Sequence, residues 1–381
     1  MGKQHSVHAE AEPSELRVGL EGVPVARTAI SYANGEKGEL VYRGIWAGEL
    51  AKERTFEEVA YLILYGRLPT PVDLAQLKAT LVARRTLTRP IKQIVESAPR
   101  EASCMAVLRA ALSVIVPEGG DWPPTVAQAL DILAKAPTII AHRYNHINSR
   151  PVREPRGDLD HVENYLYMLL GDVAKPGMVR ALTAYLILGM DHDLNASTFT
   201  ARVVTSTQSD IVSAVCAAIG SLIGPLHGGA PSKVDDLLDD IGSEEKAESV
   251  LRQKIERGDR LMGFGHRVYK TWDPRAAALK FVVQQLEHQD PLLRLSLLVE
   301  STAVRLLEEY KPGRNLYPNV EFWAAAVLRA VGVPRELYTP TFCCSRIAGW
   351  CAHILEQASD NRLIRPSAIY VGAHPKHPQK R

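Results

Sequence analysis

The sequence predicts a mainly α-helical protein with a small β segment near its N-terminus. Helix start and stop signals recur along most of the chain, whereas turn signals between short apolar stretches are concentrated in residues 19–45. Residues 211–226 carry no charge over sixteen positions, which favours burial. With 381 residues, the chain is long enough for a large core and favours two domains.

The composition is that of a globular protein and argues against several classes of partner. Apolar residues make up 46% of the chain and charged residues 23%. A formal net charge of +2 provides no basic field for nucleic acid or anionic lipid. The uncharged run 211–226 is shorter than the roughly 18–20 residues that a membrane span needs, and the first residues lack the apolar region of a secretory signal. We therefore expect a protein that binds neither nucleic acid nor membrane.

The cysteines indicate a reducing compartment. There are five of them, an odd number in a long chain, which suits the cytoplasm better than a disulfide framework. Cys343, Cys344, Cys351 and His353 lie close together in sequence, but zinc sites prefer C-x-x-C spacing. We expect these cysteines to be buried helix thiols, and we expect no metal.

Local signals define the first elements of the chain. Asn34-Gly35 and Lys37-Gly38 predict turns between short strands. Thr55 and Glu58 form a T-x-x-E capping box, which predicts the start of a helix, and Gly66 is suited to end it. The β segment is therefore expected to give way to helices before residue 60.

Further helices follow the same logic. Thr70 is suited to the N-cap position of the next helix and Pro71 to its first turn. Residues 161–171 and 178–190 are rich in Leu, Met and Tyr at helical spacing, which predicts two buried helices. Residues 149–160, just before the first of these segments, contain proline and charged residues, which predicts a polar loop.

The domain boundaries are predicted from a change in composition. Residues from about 232 to 320 are more charged and amphipathic than their surroundings, and the stretch GPLHGG, residues 224–229, stands at their start. Glycine-rich joints suit a hinge, because a hinge must absorb large backbone changes. We expect residues 1–222 to be the first part of a large helical domain, 223–326 a small helical domain, and 327–381 the C-terminal part of the large domain. His227 would then lie where two domains meet, which is a favoured place for a ligand cleft.

Other polar side chains occupy similar apolar settings. His192 precedes a helix that Asn195 or Ser197 is suited to cap, and His266 follows the sequence Gly-Phe-Gly. Glu321 lies in the first turn of a helix that Asn319 is suited to cap. The arginines in comparable settings are Arg275, Arg346 and Arg365.

Each of these residues has an ordinary structural explanation when it is taken alone, but the set favours one chemistry. Arginine binds carboxylates through two parallel hydrogen bonds and stays charged, so three arginines suit a small dianionic substrate. Histidines can donate hydrogen bonds to carbonyl oxygens, and one carboxylate can remove a proton from carbon. A three-histidine zinc hydrolase is the alternative, ranked lower because three arginines around a zinc ion would be electrostatically unfavourable.

Five motifs resemble those of the citrate synthase family, in the order and spacing of that family. They are HDLNASTFTARV, GPLHGGAP, MGFGHRVYKTWDPR, YPNVEFW and RLIRPSAIY. The resemblance runs from about residue 19 to residue 372. It implies a homodimer of mostly helical subunits, each with a large and a small domain, that acts on a coenzyme A thioester and needs no cofactor.

The resemblance also implies a role for each residue. His227 would stabilise the enol of acetyl-CoA, Glu321 would remove the methyl proton, and His266 would polarise the ketone of oxaloacetate. Oxaloacetate would be held by His192, Arg275 and Arg346, together with Arg365 of the partner subunit. The coenzyme A site would be lined by the backbone of Arg260, Leu261, Met262, Gly263 and Phe264.

Three positions depart from the common family pattern, and three interpretations stay open. Glu321 stands where most members have aspartate, and Pro231 and Ser367 also differ. The leading interpretation is a citrate synthase of the tricarboxylic acid cycle. A 2-methylcitrate synthase that uses propionyl-CoA is the second, because one methylene group changes binding by only roughly 1–3 kcal/mol. A non-catalytic paralogue that senses citrate or coenzyme A is the third, favoured only by Glu321.

Overall fold

The computed structural model describes residues 16–20, 22–227, 231–265, 269, 271–286 and 290–373. Over these residues the predicted fold class is confirmed, with three short strands followed by sixteen α-helices. The strands are β1 (Ser31–Asn34), β2 (Glu39–Tyr42) and β3 (Ile45–Trp46). The helices are α1 (Ala47–Glu53), α2 (Phe56–Tyr65), α3 (Pro71–Arg84), α4 (Arg89–Ser97), α5 (Cys104–Leu112), α6 (Val126–Ile147), α7 (His161–Leu170), α8 (Pro176–Gly189), α9 (Ala196–Ser206), α10 (Ile211–Ile223), α11 (Pro231–Ile241), α12 (Ala247–Glu256), α13 (Pro274–Gln284), α14 (Pro291–Tyr310), α15 (Val320–Ala330) and α16 (Tyr338–Ser359).

The strands form a small antiparallel sheet in the order β1-β2-β3. Ser31 pairs with Tyr42 and Asn34 with Glu39, so the turn lies where the sequence predicts it. The Asn34 side chain closes this turn by accepting hydrogen bonds from the next backbone N–H groups at 3.0 Å. Gly38 has a φ of +68°, and a Cβ atom there would lie 3.0 Å from the carbonyl oxygen of Trp272, so both conformation and space require glycine.

The predicted helix caps are present. Thr55 and Glu58 form the complete capping box of α2, and Gly66 ends that helix in the left-handed conformation with a φ of 81°. Thr70 caps α3 in the same manner, with Pro71 as its first residue. Of the two candidates for capping α9, Asn195 is the N-cap, since its side chain accepts from the N–H of Thr198 at 3.1 Å.

Helix α16 forms the centre of the main body. It packs against α2, α6, α8, α9 and α10 and is buried along most of its length. The thiols of Cys343, Cys344 and Cys351 lie inside this core, as predicted, and burial raises the pKa of each. Among the described helices, none combines the length and apolar character that crossing a bilayer would need.

The charged stretch forms a second group of helices. α12 packs against α11 and α14, while α15 contacts α11, α13 and α14. α13 and α15 also pack against α8 of the main body. Residues of α13 and α15 are therefore brought next to α8, which itself packs against α16, and the candidate site is built at this junction.

Candidate active site

His227 lies in the turn that follows α10 and bonds to the first turn of α9. Its backbone N–H donates to the Gly224 carbonyl at 2.9 Å, and its Nε2 lies 2.8 Å from the Ser197 Oγ. Burial and the nearby positive charge of Arg346 lower the pKa of His227 to about 4. The imidazole is therefore neutral at physiological pH.

Ser197 sets which nitrogen of His227 carries the proton. The Trp350 Nε1–H donates to the Ser197 Oγ at 3.0 Å, and the Asn195 Oδ1 and the His227 Nε2 each lie 2.8 Å from that oxygen. The Asn195 Oδ1 can only accept, and it also accepts from the Thr198 N–H, so the single hydrogen of the Ser197 hydroxyl is donated to Asn195 and the His227 Nε2–H donates to Ser197 in this arrangement. The hydroxyl can instead turn toward His227. When it donates to His227, the imidazole proton is on Nδ1, where it can be donated to a ligand.

His192 lies between Asp191 and Asp193, and hydrogen bonds to other parts of the core hold both of these neighbours in place. The buried Asp191 Oδ2 accepts from the Ser31 Oγ at 2.5 Å and lies 3.1 Å from the His353 Nε2. The N–H of Asp193 donates to the same Ser31 oxygen at 2.9 Å, and Asp193 has a positive φ of 53°. The His192 ring points to Tyr269, whose hydroxyl lies 2.9 Å from its Nε2.

The sequence did not predict a buried series of hydrogen bonds that joins Asp191 to His353 and Arg202. The Arg202 Nε–H donates to the His353 Nδ1 at 2.9 Å, so the other ring nitrogen of a neutral His353 carries the proton that is donated to Asp191. Burial raises the pKa of Asp191. His353, Arg346 and Ser31 lower this pKa by more than burial raises it, so the net shift is downward. The carboxylate beside His192 is therefore kept ionised inside the core.

Arg346 brings a buried positive charge to the same place. It lies in α16 with 2% of its surface exposed, and its Nε–H donates to the Gly189 carbonyl at the end of α8 at 2.8 Å. The Phe342 ring lies beneath the guanidinium group at 4.7 Å. Burial lowers the pKa of Arg346, yet guanidinium groups stay protonated in proteins. A charge held this deep is suited to bind an anion.

Asp273 joins Arg275 to the start of α15. Its two oxygens accept from the Arg275 Nε and NH2 at 3.0 and 2.9 Å, and Oδ2 also accepts from the backbone N–H of Val320 at 2.9 Å. Burial lowers the pKa of Arg275, but pairing with Asp273 more than offsets this, and the net shift is upward. Sequence reasoning missed this role of Asp273, although its position before Pro274 does signal an N-cap.

Glu321 is presented in the first turn of α15, as predicted. Asn319 caps the helix by accepting from the Glu321 N–H at 3.1 Å. Burial and the Asp273 carboxylate raise the pKa of Glu321, while Arg275 and Arg260 oppose this, and the net shift is upward. A partly buried carboxylate with a raised pKa is a stronger base than one in water, which suits proton abstraction.

A backbone hydrogen bond joins the segment from Arg260 to Phe264 to the start of α15. Leu261 and Phe264 are buried in the core, so the backbone of this segment, the exposed Arg260 and the half-buried Met262 are what remains available to a ligand. The Gly263 carbonyl accepts from the Asn319 N–H at 2.9 Å. Gly263 has a φ of +88°, and a Cβ atom there would lie 2.9 Å from the Cβ of Phe322, so no other residue fits.

The structure brings together most of the predicted residues but not all. The charge of Arg346 acts on His227 and that of Arg275 on both Arg346 and Glu321, which puts these groups in one site. Arg365 is exposed and lies elsewhere, because the N–H of its neighbour Ile364 donates to Ser206 at the far end of α9. That end is about 14 Å from Ser197 at 1.5 Å per residue. His266 lies outside the described residues.

A metal centre was the alternative to this arrangement. Over the residues that the structure describes, no group of three or more His, Cys, Asp or Glu side chains is placed to hold a metal ion. His266, one of the three histidines of that alternative, lies outside the described residues. The described polar groups include the neutral imidazole of His227, the guanidinium groups of Arg275 and Arg346 and the carboxyl of Glu321. This set can hold a dianion, donate hydrogen bonds to carbonyl oxygens and accept a proton from carbon.

Comparison with known proteins agrees with this chemistry. The family profile described as "Citrate synthase, C-terminal domain" matches residues 19–367. The chain is 37% identical over 369 residues to a citrate synthase of Deinococcus radiodurans, covering 96% of this chain and 98% of that protein. It is 40% identical over 364 residues to a 2-methylcitrate synthase of Shewanella oneidensis, covering 94% and 95% of the two chains.

A solved structure gives the same result. Citrate synthase from the thermophilic archaeon Thermoplasma acidophilum, solved as a ternary complex with carboxymethyl coenzyme A and oxaloacetate, has a TM-score of 0.82 and 32% identity. The match covers 94% of this chain and 97% of that chain. The chain therefore belongs to the citrate synthase family, whose members are acyltransferases.

Proposed function

We propose that this protein is a citrate synthase, which condenses acetyl-CoA with oxaloacetate and hydrolyses the citryl-CoA thioester to citrate and CoA. The observation that carries the proposal is the contact of Asp273 with both Arg275 and the backbone of Val320. One carboxylate thereby links a guanidinium group that suits a substrate dianion to the backbone of the helix turn that carries Glu321. The relatives named citrate synthase support the same reaction.

In this proposal, Glu321 removes a proton from the methyl carbon of acetyl-CoA while His227 donates a hydrogen bond to the thioester oxygen. A neutral imidazole can do so from Nδ1 once the Ser197 hydroxyl turns from Asn195 and donates to the His227 Nε2. Such a preorganised donor stabilises charge that develops on oxygen in the transition state. His266 would donate to the ketone oxygen of oxaloacetate as that oxygen gains negative charge.

Oxaloacetate would be held by His192, Arg275 and Arg346. The two arginines match its two carboxylates, and both are buried, which strengthens their attraction for an anion. Hydrogen bonds of Asp191 and Asp193 with Ser31 hold the residues on either side of His192, so the imidazole is in place before substrate arrives.

We also propose that the active unit is a homodimer in which Arg365 of the partner subunit completes the oxaloacetate site. Two features of one chain support this. Arg365 is anchored near Ser206 rather than near Arg346, and the residues after it expose Ile369, Tyr370 and Val371 by 49, 65 and 93%. A segment of this kind is suited to lie on a second subunit.

Coenzyme A would bind along the backbone of residues 260–264, and residues 223–326 would form the small domain that closes over both substrates. Closure excludes water while the enol attacks oxaloacetate, and water is admitted afterwards to hydrolyse the thioester. The five free thiols suit a reducing compartment, so we propose that the reaction serves a tricarboxylic acid cycle in the cytoplasm.

A 2-methylcitrate synthase is the second candidate, favoured by the relative of that name at 40% identity. Release of free CoA from acetyl-CoA and from propionyl-CoA, each with oxaloacetate, decides between them. We expect the larger kcat/KM with acetyl-CoA. A larger value with propionyl-CoA would favour the second candidate, and turnover of neither thioester would support a non-catalytic role.

A further inference from the structure

Tyr185 carries a buried hydroxyl that the roles above do not use. It lies in α8, and 3% of its surface is exposed. Within the part of the chain that the structure describes, its hydroxyl has no hydrogen-bond partner. Buried polar groups are nearly always paired in native proteins, so an unpaired phenol indicates a missing partner.

The surroundings of this hydroxyl are the substrate-binding elements. Gly189 lies one turn further along α8, on the same face as Tyr185, and its carbonyl holds the Arg346 guanidinium group at 2.8 Å. α8 also packs against α13, which carries Arg275, and against α15, which carries Glu321. Tyr185 therefore lies in the wall of the site that the two arginines and the carboxyl define.

Electrostatics agree with this placement. Burial raises the pKa of Tyr185 most, Arg346 and Arg275 lower it, and Glu321 raises it, with a net shift upward. All three charges are thus close enough to act on the phenol. Because the phenol stays protonated, it acts as a neutral hydrogen-bond donor at any physiological pH.

We propose that the Tyr185 hydroxyl is a further substrate ligand, which donates a hydrogen bond to a carboxylate oxygen of the keto dicarboxylate held by Arg346 and Arg275. This inference rests on the proposed function, since it assigns an additional contact to the same substrate. An arginine pair alone accepts many small dianions. A fixed neutral donor adds a requirement for an oxygen at one position, and sites built around such a bond discriminate strongly against ligands that lack it.

The test is Tyr185→Phe, which removes one oxygen and keeps the ring. Binding of oxaloacetate to the parent and the variant is measured by isothermal titration calorimetry, and thermal unfolding of both is measured without ligand. A lost hydrogen bond to a charged group predicts an increase in Kd of about 10- to 100-fold. The melting temperature should stay the same or rise, because the variant loses a hydroxyl that has no hydrogen-bond partner among the described residues.

Tyr165→Phe is the matched control. Tyr165 is equally buried, but its hydroxyl lies 2.8 Å from the Thr341 Oγ1. This control should lower the melting temperature and leave the Kd for oxaloacetate unchanged. An unchanged Kd in Tyr185→Phe would overturn the inference while leaving the proposed function intact. A parent protein that binds no oxaloacetate would overturn both.

Discussion

Asp273 and Arg275 form a buried ion pair whose carboxylate also bonds the first residue of α15. The Asp273 oxygens lie 2.9–3.0 Å from the Arg275 side chain and 2.9 Å from the Val320 nitrogen. Val320 immediately precedes Glu321. If Arg275 binds a dianion, as proposed, any shift of its side chain would act through Asp273 on the helix start that carries the proposed base.

Asp273→Asn should weaken oxaloacetate binding and slow turnover together. The amide keeps the size of the carboxyl but loses its charge and one acceptor, so Arg275 and Val320 lose part of their positioning. We expect KM for oxaloacetate to rise by about tenfold or more, measured by steady-state kinetics. The acidic limb of the kcat profile should move to lower pH, because Asp273 raises the pKa of Glu321 in the parent.

The control for this variant is Asp290→Asn. Asp290 caps α14 by accepting from the Leu292 N–H at 2.7 Å, and no role in the site is proposed for it. It should lower thermal stability slightly and leave the pH profile in place. A profile that is also unmoved in Asp273→Asn would show that Asp273 serves only the fold.

Acid should destabilise the protein through its buried histidines. Burial and the Arg85 charge lower the pKa of His161 to about 3, and the pKa of His227 falls to about 4. In the unfolded chain these histidines bind protons near pH 6.5, whereas in the folded protein they stay unprotonated at that pH. The free energy of unfolding should therefore fall as pH drops from about 6.5 to 4, by about 1.4 kcal/mol per pH unit for each such group.

His161→Phe tests this prediction by denaturant unfolding between pH 7 and pH 4. The phenyl ring can keep the stacking on Phe56, which has a centroid distance of 4.7 Å in the parent, but it cannot titrate. The slope of stability against pH should become smaller by about one proton. His146→Phe, at an exposed position of α6, should keep the parent slope. Equal slopes in both variants would contradict the assignment.

A mixed dimer tests the proposed shared site. Subunits inactivated by Arg365→Ala are mixed with subunits inactivated by His266→Ala, and CoA release is measured after the hybrids have been shown to form. If each site takes Arg365 from the partner subunit, one of the two sites in every hybrid is intact. Partial recovery of activity is the expected result. Hybrids as inactive as either parent variant would argue that Arg365 acts within its own subunit.

Domain closure should make the protein more compact. Small-angle scattering with oxaloacetate and a non-reactive coenzyme A analogue should give a smaller radius of gyration than scattering without ligands. The prediction of closure rests on the glycine- and proline-rich joint beside His227, which lies at the start of the proposed small domain, residues 223–326. An unchanged radius with both ligands bound would remove closure from the mechanism.

The local features of the site could be predicted from the sequence. Asn319 and Glu321 lie two residues apart, and the cap and the first-turn carboxyl follow from that spacing alone. At the start of α9 the sequence narrowed the cap to Asn195 or Ser197, and the structure shows that it is Asn195. Such predictions succeed because the interacting groups are neighbours in the chain.

The supporting contacts could not be predicted, because they join distant segments. Asp191 meets Ser31 and His353 across 160 and 162 residues, and His227 meets Ser197 across 30. No spacing rule pairs a serine of one strand with an aspartate of a distant loop. Tyr185 is a clearer case, since a hydroxyl without a partner among the described residues is a property of the packed core and cannot be predicted from the sequence.

The departure of Glu321 from the family's usual aspartate bears directly on the base. Its carboxyl reaches one methylene further, and catalytic groups must be held within about 0.5 Å of their working position. If Glu321 is the base and the site around it is fitted to glutamate, Glu321→Asp should retain more activity than Glu321→Gln and less than the parent. The aspartate variant thus separates the length of the side chain from its ability to take a proton.

Glu321→Gln tests the central claim most directly. CoA release from acetyl-CoA and oxaloacetate is measured for the parent and the variant, and oxaloacetate binding is measured for both by calorimetry. The amide keeps the size of the side chain but cannot take the proton, so kcat should fall by about 10²- to 10⁴-fold while the Kd for oxaloacetate stays nearly the same. A glutamine variant that turns over as fast as the parent would show that the proton goes elsewhere and that Glu321 is not the base.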